Sequence, residues 1–258
     1  TNYSVSNGIG NPITAMVSSS STKCIDLVLA SALQNPTNYV LTLTNLSDCS
    51  GNAVSPATIN FSYYIAKPYD VVINELFPDP DPQIALPQGE YIELYNRTAY
   101  AISLKNWTLT VGNNDIIIPD AVIQPDSFVV FIDDAALNSF INEGYGNRAL
   151  VVLNAMSSSE LNVSDEDVVI KDVSGTVISF VHYYDSWYQD ATKEAGGWSI
   201  EQIDPNNPCA GQSNWRASNN ANGGTPGAKN SIDAVNADNQ SPQIVKVNII
   251  NKDTITLV

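Results

Sequence analysis

Side chains able to carry out chemistry are few in this chain of 258 residues. It contains three cysteines, Cys24, Cys49 and Cys209, and one histidine, His182. Structural zinc needs about four Cys or His ligands, so zinc fingers and zinc hydrolases are excluded. The chain has no G-x-S-x-G nucleophile elbow, and His182 lies in the alternating run VISFVHYY, where a histidine is usually structural. The sequence therefore predicts no catalytic residue and no transition-metal site.

Carboxylates are the next candidates. Glu75, Glu90 and Glu93 lie in the neighbouring motifs INELF and EYIELYN, which could bring them together. Paired carboxylates can act as general acid and base or bind hard cations. The same side chains can instead accept hydrogen bonds from backbone N–H groups of loops, because buried charges must be hydrogen-bonded. We favour this structural interpretation over a catalytic one.

Acidic loops are the candidates for calcium, which is the one cofactor left open. The residues concerned are Asp79, Asp81, Asp165 and Asp167, with Asp133, Asp134 and Glu166 alongside. None of these loops has the D-x-[DN]-x-[DN]-G pattern of a strong calcium motif, so no confident metal site is predicted. Any ion that binds should be a hard cation with oxygen ligands, because softer metals need Cys or His.

An aromatic-rich stretch, HYYDSWYQDATKEAGGW, supplies three candidate ligand-binding residues, Tyr184, Trp187 and Tyr188. Flat aromatic rings beside acids and amides are a common way to hold sugar rings. The competing interpretation is that these aromatics form the small core of a long loop. The sequence favours the second interpretation and leaves the first open.

Composition limits the class of protein and the kind of partner. The chain has 11 Lys and Arg against 27 Asp and Glu, a net charge of -16, and this balance repels phosphate backbones and anionic lipid. Nucleic acid is therefore not an expected partner. No segment reaches the roughly 18 apolar residues of a membrane-spanning helix, so no membrane insertion is predicted. A hydrophobic content of 43% is enough to form hydrophobic cores, and the composition excludes collagen, coiled coil and disorder.

The elements that must position these residues are strands. Almost every periodic segment alternates with period two, and almost every break is Gly, Pro, Asn or Asp. Strands at intervals of roughly 8 to 12 residues are typical of a sandwich of two antiparallel sheets, so the chain is predicted to be all-β. One helix is expected from Asp133, with Leu137, Phe140 and Ile141 on its apolar side and Gly144 as its stop.

Changes of pattern divide the chain. One alternating run ends and another begins near Lys67–Pro68, and a small, polar segment follows Asn230. The last residues, QIVKVNIINKDTITLV, have the pattern of two strands joined by a turn at residues 251–253. The predicted units are residues 1–67, 68–230, a linker at 231–242, and the two strands of 243–258.

Residues 71–230 resemble the lamin-tail domain, through the motifs VVINELFPDP, EYIELYNRT, ISLKNWTLT, IIIPDAVIQPDSFVVF, DVVIKDVSGTVISFVHY, WSIEQIDPNNPC, NWRAS and GGTPGAKNS. The resemblance implies an immunoglobulin-like sandwich. Such domains occur in nuclear lamins and, more abundantly, in secreted and surface proteins of bacteria. In EYIELYN, Ile92 and Leu94 should face the core while Tyr91, Glu93 and Tyr95 face a semi-exposed side. Trp107 should be a core aromatic.

Residues 1–66 resemble the later part of a bacterial immunoglobulin-like domain of the S-layer-protein type, through NYSV, CIDLVLASALQNPTNYVLTLTNLSD, CSGNAV and INFSYY. Two opening strands of such a domain are missing, and residues 243–258 look like those strands. The chain is thus expected to come from a longer array of modules. We predict that the C-terminal strands complete the first unit, by folding back or by exchange in a dimer. A solvent-facing tail is the alternative.

The resemblance also implies export, which permits disulfides. Cys24 opens one strand and Cys49 follows the next, so an antiparallel pair of strands would bring them close. We therefore predict a disulfide between Cys24 and Cys49, with Cys209 unpaired. Two buried thiols are the alternative.

The expected function is that of a non-catalytic, exported module of a larger bacterial surface protein, at the cell surface or outside the cell. It would act as a structural spacer or an adhesion element. Its partners would be other modules of the same polypeptide and surface glycans or proteins. One alternative is a carbohydrate- or polymer-binding module. The other is an accessory domain of a secreted nuclease or phosphatase, because lamin-tail modules often accompany hydrolases.

Overall fold

A computed structural model describes residues 2–19, 21–239 and 244–257. The outer ends of the predicted units 1–67 and 243–258, and the end of the predicted linker, fall outside these residues. The described chain is nearly all β, as the sequence predicts. None of its described helices is long and apolar enough to cross a membrane.

The N-terminal unit contains five strands. They are β1 (Tyr3–Val5), β2 (Thr14–Val17), β3 (Ile25–Val28), β4 (Thr37–Leu43) and β5 (Thr58–Tyr63). Strands β1, β4 and β5 form one antiparallel sheet in the order β1-β4-β5, and β2 and β3 form a separate hairpin. The buried core of this unit is small: Val5, Ile9 and Tyr39, with Leu29, Leu33, Leu41 and Phe61 partly buried around them.

The central unit contains twelve of the described strands and one short helix. They are β6 (Val71–Phe77), β7 (Tyr91–Asn96), β8 (Ile102–Ser103), β9 (Thr108–Val111), β10 (Asn114–Ile117), β11 (Val122–Ile123), β12 (Ser127–Ile132), α1 (Leu137–Asn142), β13 (Leu150–Val152), β14 (Asp165–Lys171), β15 (Val177–Tyr184), β16 (Ile200–Gln202) and β17 (Trp215–Ala217). Single 3-10 turns lie at Asp185–Tyr188 and Gly211–Asn214.

Two sheets make the sandwich of the central unit. One has six strands in the order β13-β12-β7-β6-β16-β17, and the other has four in the order β10-β9-β14-β15. The small pair β8 and β11 lies beside them. Neighbouring strands are antiparallel except for β12 and β13, which are parallel. This architecture is an immunoglobulin-like β-sandwich.

Alternating residues place the main core between the two sheets. Ile92 and Leu94 of β7 are fully buried there, and Trp107 is also buried, as predicted. The opposite face of β7 differs from the prediction: Tyr91 and Glu93 are fully buried as well. A second apolar cluster covers that face, and Phe77, Tyr91 and Phe140 belong to it. The six-stranded sheet is therefore packed on both sides over much of its area.

The helix is shorter than predicted. It begins at Leu137, and the Asp133 carboxylate accepts a hydrogen bond from the Ala136 N–H (2.6 Å) in the turn before it. Phe140 is buried, but Ile141 is 51% exposed, so its predicted place on the apolar side is wrong. A helix of under two turns buries only a narrow stripe.

The predicted linker also needs correction. The first part of 231–242 is bound to the central unit: the Ala234 N–H donates to the Ile203 carbonyl (3.0 Å), and the Asn236 N–H donates to Asp204 (2.9 Å). Small, polar residues predict a linker by composition. Here they are held by hydrogen bonds to a loop, and composition does not reveal such bonds.

The C-terminal strands form as predicted. They are β18 (Val247–Asn251) and β19 (Thr254–Leu257), with a turn at Lys252–Asp253. They pair with each other in a two-stranded sheet of their own. Among the described residues, the sheet β1-β4-β5 gains no strand from this C-terminal pair, so the described part of the single chain shows no completion by folding back.

The predicted disulfide between Cys24 and Cys49 is wrong in this structure, where Cys24, Cys49 and Cys209 are all free and exposed. The prediction required the strand after Cys24 to pair with the strand before Cys49. Instead β3 pairs with β2, and β4 pairs with β1 and β5. The two cysteines therefore lie beside strands of different sheets. The alternative of two buried thiols is also wrong.

Candidate functional site

The predicted aromatic platform is mostly buried. Trp187 and Tyr188 are 7% and 3% exposed, and Trp187 packs on Trp215 with ring centroids 5.9 Å apart. Tyr184 alone of the three candidates is exposed, beside His182. The stretch therefore forms its own local core, and Trp187 and Tyr188 cannot present a face to a sugar.

The acidic calcium candidates lie in two separate places. Asp165 and Asp167 of β14 flank His182 of β15, with Nε2 of His182 3.6 Å from Asp165 and Nδ1 2.6 Å from Asp167. Asp79 lies in the loop after β6 and accepts a hydrogen bond from the Asp81 N–H (3.1 Å). The described ranges contain no group of three Asp, Glu, His or Cys side chains placed to hold a metal. Calcium binding stays a prediction, to be tested by a rise in melting temperature.

Three glutamates form a row across adjacent strands of the six-stranded sheet. Glu93 of β7 pairs with Glu75 of β6, which in turn pairs with Glu201 of β16. All three are 0% exposed. Because they occupy facing positions, their side chains project from the same face of the sheet. We call these three residues the carboxyl row.

Sequence reasoning found this site only in part. It grouped Glu75 with Glu93 but added Glu90, which lies elsewhere, and it missed Glu201. The motif WSIEQI carried a usable signal, because Ile200 and Glu201 alternate as core and non-core residues. What the sequence does not show is that β16 is the neighbour of β6, more than 120 residues earlier in the chain.

A C-terminal segment, residues 223–232, covers the carboxyl row, and we call it the clasp. Oε1 of Glu75 accepts hydrogen bonds from the Thr225 N–H (2.8 Å), the Tyr91 hydroxyl (2.8 Å) and the Ser199 hydroxyl (2.5 Å). Glu93 accepts from the Gly227 N–H (2.6 Å). These bonds are the ones expected from carboxylates that satisfy loop N–H groups.

Glu201 fixes the far end of the clasp. Its Oε2 accepts hydrogen bonds from the Ser231 hydroxyl (2.8 Å) and the Ile232 N–H (3.2 Å). Asn230 adds a reciprocal pair: Asn74 Nδ2 donates to Asn230 Oδ1 (2.8 Å), and Asn230 Nδ2 donates to the Asn74 carbonyl (3.0 Å). The clasp is thus tied directly to β6, the first strand of the unit.

The close approach of the clasp requires glycine. A Cβ atom on Gly224 would lie 2.5 Å from the Tyr91 hydroxyl and 2.8 Å from Oε1 of Glu75. Both atoms are already in the hydrogen-bond network, so neither can move away without breaking it. The GGTPG motif therefore serves to bring backbone N–H groups onto buried carboxyl groups.

The hydrogen bonds of the Thr225 hydroxyl depend on the protonation of the carboxyl row. Its hydroxyl lies 3.1 Å from Oε2 of Glu75 and 3.1 Å from Oε1 of Glu201. One hydroxyl has one hydrogen and can satisfy only one of two ionised carboxylates. A proton on Glu75 resolves the conflict, because Glu75 then donates to Thr225 and Thr225 donates to Glu201.

The electrostatic environment supports protonation of the row. Burial is the main cause that raises the pKa of Glu75 to about 7, and the nearby charge of Glu201 is the second. The hydrogen bonds that Glu75 accepts lower its pKa and offset part of this rise. Burial and then Glu75 also raise the pKa of Glu93 well above its usual range. Within the described chain, no ion pair includes a member of the row.

Glu90 is a separate buried carboxyl group. It lies just before β7 and accepts a hydrogen bond from the Leu161 N–H (2.8 Å). Burial is the main cause that raises its pKa, to about 8. Like the carboxyl row, Glu90 accepts a hydrogen bond from the backbone of a loop, and it is 5% exposed. None of the four glutamates faces a surface where a substrate could reach it.

The fold and this network define an immunoglobulin-like sandwich whose buried carboxyl groups bind its own loops. Residues 66–185 match the family model of the Lamin Tail Domain. The matched region includes Glu75, Glu90 and Glu93. The clasp and Glu201 lie beyond it, although β16 and β17 belong to the same sheet. Comparison with curated proteins gave no match.

Proposed function

We propose that this chain is a non-catalytic module of a larger exported bacterial surface protein, in which it acts as a structural spacer or an adhesion element. The observation that carries the proposal is the bonding between the first strand and the last segment of the central unit. Asn74 and Glu75 of β6 bind Asn230 and Thr225 of the clasp. These partners are 150 to 156 positions apart in the sequence.

This arrangement suits a unit held in series with others. Strand β6 lies inside the six-stranded sheet, between β7 and β16, and the clasp leaves the unit over the same strands. Tension on the chain at both ends would load these bonds together. They are buried, where hydrogen bonds are stronger than in water and water competes little for them.

The module role predicts mechanical resistance that depends on the clasp. The test is force spectroscopy on the full chain, tethered at its two ends, with Asn230→Ala as the variant. The variant removes three buried hydrogen bonds, the reciprocal pair with Asn74 and the bond from Asn230 Nδ2 to the Gln202 carbonyl (2.8 Å), so the central unit should unfold at least roughly ten-fold faster at a given force.

Asn147→Ala is the matched control, because Asn147 is an exposed residue of the same type. It should leave the unfolding force unchanged. An Asn230→Ala chain that unfolds at the same force as the unmodified chain would show that the clasp does not bear load, and the spacer role would lose its support.

The bacterial source, export and the S-layer-type character of residues 1–66 belong to this proposal. They rest on the resemblance of the motifs and, for the central unit, on the match at residues 66–185. The partners proposed are the neighbouring modules of the same polypeptide and molecules of the cell surface. A role beside a secreted nuclease or phosphatase depends on a catalytic domain elsewhere in the parent protein, and its full reading frame would decide it.

A further inference from the structure

A groove of about 450 Å³ opens on the outer face of the six-stranded sheet, at the end of the clasp. It continues the face that carries Tyr91 and Glu93, because Tyr95 is the next residue of β7 on that side. Its walls are the loop Asp204–Asn206 and the segment Lys229–Val235. The volume lies within the range of small-molecule sites in proteins.

The floor of the groove is aromatic. Tyr95 of β7 and Phe128 of β12 are directly paired across the two strands, and their rings stack with centroids 4.9 Å apart. Both rings are half-buried. The Tyr95 hydroxyl donates a hydrogen bond to Asp126, which restricts the orientation of the ring in the groove.

The rim supplies both donors and acceptors of hydrogen bonds. Lys229 pairs with Asp233 (2.7 Å) and has two further N–H donors. Asn206 accepts from Arg97 through its carbonyl oxygen, which leaves its amide N–H groups to donate. Asp126 has a second carboxylate oxygen that can accept.

Charge narrows the class of ligand. The lining has three carboxylates, Asp126, Asp204 and Asp233, against the single Lys229. The net charge of the lining is therefore negative, and anionic ligands are repelled. An aromatic floor, a mixed polar rim and no affinity for anions together fit a ring with one apolar face and hydroxyl groups at its edge.

We propose that this groove binds a neutral sugar ring of a glycan, with the Tyr95 and Phe128 side chains in contact with its apolar face and Asp126, Asn206 and Lys229 bonded to its hydroxyl groups. This site lies on the six-stranded sheet, apart from Tyr184, Trp187 and Tyr188. It adds a ligand to the spacer role and does not depend on that role.

The test is an NMR titration of the full chain with four probes: cellohexaose, chitohexaose, xylohexaose and mannohexaose. Binding of at least one probe should shift the backbone amide signals of the groove, with a Kd of millimolar or tighter. Phe128→Ala should weaken that binding at least ten-fold, through loss of half the aromatic floor. Trigalacturonate, an anionic sugar, should not bind.

Phe180→Ala is the matched control, because Phe180 is an exposed aromatic residue of the four-stranded sheet. It should leave the Kd unchanged. Lys229→Ala, at an exposed position, is a second variant that keeps the fold and should weaken binding at least three-fold. The proposal is overturned if none of the four probes binds, if the shifts map outside the groove, or if Phe128→Ala and Lys229→Ala both bind as the unmodified chain does.

Discussion

Glu75 makes the stability of the central unit depend on pH. Its pKa is 4.5 in an exposed carboxyl group and about 7 in the folded chain, so the folded state binds the proton more tightly than the unfolded state. The stabilisation is complete below about pH 4.5 and is lost as the pH rises through 7. A shift of this size corresponds to on the order of 3 kcal/mol. Glu90 acts in the same direction up to about pH 8.

We therefore expect the melting temperature of the full chain to fall between pH 5 and pH 8. Glu75→Gln should reduce this fall, because a neutral amide replaces the protonated carboxyl group and can donate to Thr225. Calorimetry at pH 5, 6, 7 and 8 measures the effect. Glu194→Gln removes one exposed acid and is the control for net charge. Equal pH dependence in the two variants would contradict the role given to Glu75.

Thr225 offers a second test at the scale of one residue. Thr225→Val keeps the shape of the side chain but leaves oxygens of Glu75 and Glu201 without a partner. The free energy of unfolding should fall by about 1 to 3 kcal/mol, which is the usual effect of an unsatisfied buried polar group. Thr225→Ser retains the hydroxyl, so its free energy of unfolding should fall by less. Denaturant unfolding at pH 6 compares the two, and an equal loss would show that packing alone matters at this position.

At the scale of elements, the alternation of residues within one strand predicts well which of its side chains face the core. Alternation in EYIELYN placed Ile92 and Leu94 in the core, and the structure confirms both. Alternation could not show that a clasp covers the other face, so Glu93 was expected to be semi-exposed. The same limit explains why the sequence does not reveal Glu201 as part of the carboxyl row. It also explains why the predicted pairing of Cys24 with Cys49 is wrong. Which strands become neighbours is set by packing over the whole chain, and local sequence carries little of that information.

The clasp should behave as one cooperative element. Its N–H groups bind side chains of three different strands, so the loss of one anchor should loosen the others. We expect Asn230→Ala to speed hydrogen exchange at Thr225 and Gly227 at least ten-fold, and Asn147→Ala to leave it unchanged. Exchange that rises at residues 230–232 alone would show that each anchor acts independently.

At the scale of the whole molecule, two hairpins expose apolar side chains. In the hairpin of β2 and β3, Met16 and Val17 are 58% and 60% exposed. In the hairpin of β18 and β19, Ile249 and Ile255 are 79% and 60% exposed. A two-stranded hairpin is marginally stable alone, and exposed apolar strands promote association.

We expect these hairpins to meet between two chains, so that the C-terminal strands of one chain extend the N-terminal unit of another. The full chain should then form a dimer at micromolar concentration, and deletion of the residues after Asn239 should give a monomer with a lower melting temperature of the N-terminal unit. Analytical ultracentrifugation and calorimetry measure both changes. Ile249→Asp is the milder variant, since it places a charge on the proposed contact and should weaken the dimer. Val235→Asp is its control, because Val235 is 89% exposed and lies away from both hairpins in the sequence, and it should leave the dimer unchanged. A full chain that is monomeric, or a deletion that changes neither mass nor melting, would mean that β18 and β19 remain a separate hairpin.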